Sequence, residues 1–95
     1  MSSIKTILYK QKTLKNGMHP VMLYIYQDKV YRLSVGYHCH SKDWSEKSGR
    51  FRKNYPNAKT KNLNLSKYEL QAKEIVDEFI REGERFSFST FKKLF

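Results

Sequence analysis

The chain has one cysteine, Cys39, so it cannot close an internal disulfide, and this suits a reducing compartment. No apolar run approaches the ~18 residues that cross a bilayer. Met1 to Lys10 lacks the apolar segment of a signal peptide. The four glycines are scattered, so no glycine-rich phosphate loop is present. Acids are scarce, nine against nineteen Lys and Arg, for a net charge of +10. There is no Ser-His-Asp spacing, no paired-carboxylate site and no metal-ligand motif, so catalysis has no visible seat. His38-Cys39-His40 invites a zinc reading, with His19 as the only further candidate. A structural zinc wants four ligands, and no second cysteine exists. No metal, no cofactor, no catalytic residue and no small-molecule substrate is therefore expected.

What is present is a lopsided charge. Residues 1–68 hold fourteen Lys and Arg against Asp28, Asp43 and Glu46, whereas residues 69–95 hold five against six acids. Dense positive charge on one part of a small domain is an electrostatic footprint for a polyanion. An anionic membrane would call for a basic amphipathic helix, and here the helical part is the acidic one, so no membrane partner is expected. Ninety-five residues make one domain with a modest core. An apolar content of 39% with 15% aromatics is too high for disorder.

Alternation predicts a strand over Ile4 to Lys12. Asn16-Gly17 is a hairpin signal, because both residues tolerate positive φ. Val21 to Tyr26 reads as a second strand led in by Pro20. Gln27-Asp28-Lys29 reads as a tight turn, and Val30 to Val35 as a third strand closed by Gly36. Short connections favour an antiparallel meander. Parity then sorts the faces. Ile4, Thr6, Leu8, Val21, Leu23, Ile25, Tyr31, Leu33 and Val35 share one side; Lys5, Ile7, Tyr9, Gln11, Met22, Tyr24, Tyr26, Arg32 and Ser34 share the other.

Ser41 to Trp44 reads as a helical turn capped by Ser41. Arg50 to Asn62 reads as a basic loop. Leu63 to Glu82 reads as a helix, capped by Asn62 or Asn64 and ended by Gly83. Its stripe is Leu65, Tyr68, Ala72, Ile75, Val76, Phe79 and Ile80. The fold class is α+β, a three-stranded antiparallel sheet (about 4–36) packed on one long C-terminal helix (about 63–82). Phe86, Phe88, Phe91, Leu94 and Phe95 crowd the end, with Ser89 as a candidate cap. A bare stripe of this kind promotes association. Residues 1–84 thus read as one domain, and 85–95 as a linker opening a truncated next domain. The alternative is that the tail docks on this domain's own core.

The candidate contact residues follow from charge and face. Lys10, Lys12, Lys15, Lys29, Arg50, Arg52 and Lys53 suit phosphates. Tyr24, Tyr26, Arg32 and Ser34 lie on the open face, where strands can enter a major groove. The partner expected is double-stranded DNA. Two rivals remain open: an RNA or single-stranded nucleic-acid module, since exposed tyrosines stack on bases, and a protein-interaction module using the Phe-rich end.

Lys15-Asn16-Gly17, Pro20 to Tyr26, Arg32 to Gly36, Trp44 and Gly49-Arg50 come in the order seen in a known family. The run from Tyr9 to Phe51 resembles the N-terminal arm-type DNA-binding domain of bacterial tyrosine recombinases, the phage-integrase-like enzymes of conjugative elements and transposons. Tyr24 stands where family members often carry a basic residue, which moves the expected groove contact to Arg32 and the hairpin lysines. His38-Cys39-His40 also replaces the usual aliphatic and polar residues there. The resemblance implies a non-enzymatic module that binds arm-type sites in DNA integration and recombination. The parent would cut and rejoin DNA through a phosphotyrosine in a separate catalytic domain, so none of the seven tyrosines here should be the nucleophile. It also implies other recombinase protomers as partners, and a bacterial cytoplasmic, nucleoid-associated setting.

Overall fold

A computed structural model describes residues 3–27 and 29–95. Strands β1 (Ser3–Leu8), β2 (His19–Gln27) and β3 (Lys29–Cys39) form an antiparallel sheet in that order. A 3-10 turn (Ser41–Asp43) leads into β4 (Trp44–Ser45), which pairs with β5 (Arg50–Phe51). Helices α1 (Ala58–Arg81) and α2 (Phe88–Leu94) complete the chain. The α+β meander expected from alternation is the observed one. The turn at Asp28 lies outside the described residues.

Register confirms the parity argument. Ile4 pairs with Ile25 and Ile25 with Tyr31; Thr6 pairs with Leu23 and Leu23 with Leu33. Val21, Leu23 and Ile25 are fully buried, against the helix. Several boundaries differ from expectation. β1 ends at Leu8 rather than Lys12, although the Tyr9 amide still donates to the Pro20 carbonyl at 2.9 Å. In the first hairpin only Gly17 of the Asn16-Gly17 pair takes positive φ. β3 does not stop at Gly36. The register slips between Pro20 and Met22, and Gly36 at φ +87° lets β3 bulge and run on to Cys39.

The 3-10 turn is entered from His40, and Ser41 offers no cap. Helix α1 begins five residues before Leu63, from Asn57 in the left-handed region (φ 59°), so neither Asn62 nor Asn64 caps it. The Asn62 amide instead completes the edge of β5. Its Oδ1 accepts from the Phe51 amide (2.9 Å), and its Nδ2 donates to the Phe51 carbonyl (3.1 Å). Asn64 Nδ2 donates to the Tyr37 hydroxyl at 2.9 Å. Ser87, not Ser89, caps α2, accepting from the Thr90 amide.

The core falls into two clusters, bridged by α1. The early half of α1 places Ala58 and Leu65 with Leu8, Val21, Cys39, Trp44 and Phe51. The late half places Ala72, Val76 and Phe79 with Leu23, Ile25 and Phe91. The Phe-rich end therefore docks on this domain's own core. Phe91 is fully buried, and burying a side chain of that size stabilises by about 2 kcal/mol. This segment closes over Ile75 and Phe79 but leaves Ile80 outside, 58% exposed, contrary to its expected place in the stripe.

Candidate nucleic-acid interface

Helix α1 seals one face of the sheet, so the other face is open, and its side chains arrive in cross-strand rows. Lys5, Tyr24 and Arg32 form the middle row; Ile7, Met22 and Ser34 the next; Ser3, Tyr26 and Val30 the one on the other side. The middle row is knit by cations over rings. Lys5 Nζ sits 4.9 Å from the Tyr24 ring centroid, and Arg32 Cζ sits 4.9 Å from that of Tyr9. Tyr26 is 43% exposed. The Ser34 hydroxyl accepts from the Gly36 amide at 3.4 Å. The fold thus brings Tyr24, Tyr26, Arg32 and Ser34 onto one surface.

The phosphate candidates divide into groups. Lys10, Lys12 and Lys15 are exposed along the β1–β2 connection, and Lys29 begins β3 at the opposite end of the sheet. Lys12 contributes its carbonyl to His19 Nδ1 at 2.9 Å, and the residue is exposed. Lys29 Nζ lies over the Tyr31 ring at 5.4 Å. Lys10 forms an ion pair with Glu46. The hydrogen bond and the charge of Lys10 hold the Glu46 carboxyl below its ordinary value. Lys10 and Arg52 meet at one cleft with Ser41, Ser45 and Lys47, and Arg52 Nε donates to the Lys42 carbonyl at 3.1 Å. Lys53 is exposed.

Arg50 is placed differently from the others. Its guanidinium grips Glu69 at both oxygens (Nη1 to Oε2 and Nη2 to Oε1, each 2.9 Å). It also donates to the Gly49 carbonyl (2.8 Å) and to Ser66 Oγ (3.0 Å). Buried Thr6 donates its hydroxyl to Glu69 Oε2 at 2.6 Å. Burial pushes the Glu69 carboxyl up, but the hydrogen bonds from Arg50 and Thr6 and the Arg50 charge outweigh it, and the net shift is downward. Arg50 is thus a structural cross-link between β5, α1 and β1, with the four donors of its two terminal nitrogens engaged. Glu69 stands apart from the exposed acids of α1, turned toward the sheet. The signal for this was the position of Glu69, four residues after Leu65 and three before Ala72, on the inward stripe opposite Thr6.

Lys61 packs on aromatic rings: its ammonium lies over those of Tyr37, Phe51 and Tyr55, at 5.8, 5.7 and 4.8 Å. Sequence reasoning placed Lys5 and Tyr9 on the open face but did not count them among the contacts. Their parity with Arg32 was the available signal. Burial, with Asp43 nearby, pushes the Cys39 thiol up to about 11, so it sits as an inert core residue. Among the described residues no group of His, Cys, Asp and Glu is arranged to hold a metal ion, and no helix is long and apolar enough to cross a membrane.

The surface is therefore a cationic, aromatic sheet face flanked by lysine-bearing connections, with the acids of α1 on the far side. Compared with curated proteins and with solved structures, the chain finds no match. A family model described as an arm DNA-binding domain matches residues 6–92, nearly the whole chain and both sides of the sheet–helix sandwich. The chain belongs to the arm DNA-binding domain family, a DNA-binding module typical of the N-termini of tyrosine recombinases.

Proposed function

We propose that the chain is the double-stranded DNA-binding module of a site-specific tyrosine recombinase, and that it engages arm-type sites by laying the open sheet face in the major groove. The observation that carries this is the Lys5–Tyr24–Arg32 row on the face that α1 leaves uncovered. Three strands about 4.8 Å apart set the outer two roughly 10 Å apart, which fits a groove about 12 Å wide. Arg32, Tyr24, Tyr26 and Ser34 would then meet base edges. Lys10, Lys12, Lys15, Lys29, Arg52 and Lys53 would meet the phosphates along the groove walls, releasing counterions. The solvent-side acids of α1, Glu74, Asp77 and Glu78, with Glu82 at its C-terminal cap, would repel the duplex and so enforce this orientation. Cutting and rejoining would belong to a separate catalytic domain of the parent. This module would position that enzyme and its sister protomers on DNA in the bacterial nucleoid, and residues 85–95 would lead toward the next domain.

Replacing Arg32 with Ala should weaken binding to a cognate site by ~1–3 kcal/mol while random duplex loses less. Equal losses on both would refute base readout by Arg32. Amide shifts on adding duplex should fall mainly on residues 5–35, with a smaller set at Arg52 and Lys53, and shifts centred on Glu74 to Arg81 would overturn the docking. Tighter binding of single-stranded RNA than of duplex at the same salt would favour a single-strand reader.

A further inference from the structure

The contact between Arg32 and Tyr9 is an unusual use of a long side chain. Arg32 lies on β3 and Tyr9 just beyond the end of β1, on opposite sides of β2. Arg32 shares its row with Tyr24, whereas Tyr9 lies past the Leu8–Val21 pair. To place its guanidinium carbon 4.9 Å from the Tyr9 centroid, Arg32 must cross the middle strand diagonally. The ring it reaches is itself fixed. The Tyr9 hydroxyl donates to Gln11 Oε1 at 3.0 Å, and the Tyr9 amide donates to the Pro20 carbonyl at 2.9 Å.

The chemistry of this arrangement differs from that of Arg50. Arg50 spends its donors on Glu69, Ser66 and Gly49. Among the described residues Arg32 has neither an ion-pair nor a hydrogen-bond partner. A guanidinium over an aromatic face is held in place without using any of its five donors. Such a contact on an exposed surface adds little to folding, so its value lies in limiting the rotamers of an otherwise free side chain. A guanidinium fixed in this way, with its fork unspent, is pre-organised for a planar pair of acceptors. In the major groove that pair is guanine O6 and N7.

We propose that Tyr9, braced by Gln11, is the positioning residue that aims Arg32, and that the element read at this point of the groove is a guanine. This rests on the duplex-binding reading above. Tyr9 works through Arg32, so its loss should cost discrimination more than affinity. A guanidinium that met only phosphates would, when lost, lower affinity for every sequence alike.

The test is selection from a randomised duplex with wild type, Tyr9→Phe, Tyr9→Leu and Arg32→Ala, each checked by thermal melting. Binding is then measured to the selected duplex, with guanine or 7-deazaguanine at the position whose preference Arg32→Ala erases. Wild type should enrich a guanine there and lose about tenfold when N7 is removed. Tyr9→Leu should lose most of that guanine preference while flanking positions persist, with a smaller change on random duplex. Tyr9→Phe, which keeps the ring face under Arg32 and gives up only the bond to Gln11, should retain the preference to within about threefold of wild type. Retention of the full preference by Tyr9→Leu overturns the proposal, as does a loss in Tyr9→Phe equal to that in Tyr9→Leu. If wild type binds random duplex but enriches no guanine, the inference fails while duplex binding stands. If no duplex is bound, both fall together.

Discussion

Replacing Arg50 with Ala should unfold this domain far more readily than replacing any other basic residue near the interface, and should do so without weakening DNA binding by the folded protein. The reason is geometric. Arg50 and Glu69 are each only about a quarter exposed (22% and 24%), they meet through two hydrogen bonds, and Thr6 adds a third at the same carboxylate. Breaking a fully buried pair by removing one partner costs ~3–5 kcal/mol, mostly because the survivor is left desolvated. The residual exposure lets water reach Glu69, which brings the expected loss down to about 2 kcal/mol. For a domain of this size that is a fall in Tm of ~10 °C. Melts of wild type, Arg50→Ala, Glu69→Leu and the double variant would close the cycle. The double variant should recover part of the loss, because no charge is then stranded.

The same network gives a pH signature. The folded Glu69 carboxyl lies below its ordinary 4.5. The unfolded chain therefore takes up the proton first as pH falls. The network's contribution is complete above about 4.5 and is lost as pH drops through the lower folded value. Wild type should lose stability more steeply than Glu69→Gln below pH 4.5. The reasoning is refuted if Arg50→Ala melts within a degree or two of wild type, or if the two acid limbs run parallel. A drop in the salt slope of DNA binding for Arg50→Ala would instead return Arg50 to the phosphate contacts.

Period-two alternation was enough to sort the sheet faces, because one face is buried and a slip of one residue would have put Lys5 and Arg32 inside. The helical stripe was legible for the same reason. What escaped was set by distant partners. Asn62 looks like a cap by its neighbours in sequence, but its amide is spent on Phe51 across a turn. The pairing of Arg50 with Glu69, nineteen residues on, has no local signature either. Gly36 reads as a stop because local sequence cannot tell a strand end from a bulge; the pairing of Pro20 with His38 decides it. The phenylalanines of the tail looked unpartnered because their partners, among them Tyr31 on the sheet and Phe79 on α1, lie far back in the chain; Leu94 alone of the five apolar residues stays exposed.

Two further outcomes follow from the flanks of the interface. Arg52→Ala and Lys53→Ala should each lower the slope of log affinity against log salt by ~0.9 if each meets one phosphate, with Tm unchanged for Lys53→Ala and slightly lowered for Arg52→Ala, which loses its bond to the Lys42 carbonyl; unaltered slopes would remove that segment from the contacts. Gly49→Ala should destabilise through a close approach as well as through backbone strain. Gly49 has φ +66°, and a Cβ there would stand 2.8 Å from the Thr6 carbonyl oxygen, a backbone atom of β1 that cannot move aside alone. Gly83 has nearly the same φ, +68°, but a Cβ there meets nothing within 4 Å. Left-handed strain alone costs about 1–2 kcal/mol, so Gly83→Ala should cost about that much. Gly49→Ala should exceed it by at least ~1 kcal/mol, the scale of an overpacked contact. Denaturant titration of both variants isolates the difference. Equal losses would mean that the β4–β5 turn does not press on β1, and that Arg50 alone ties the two together.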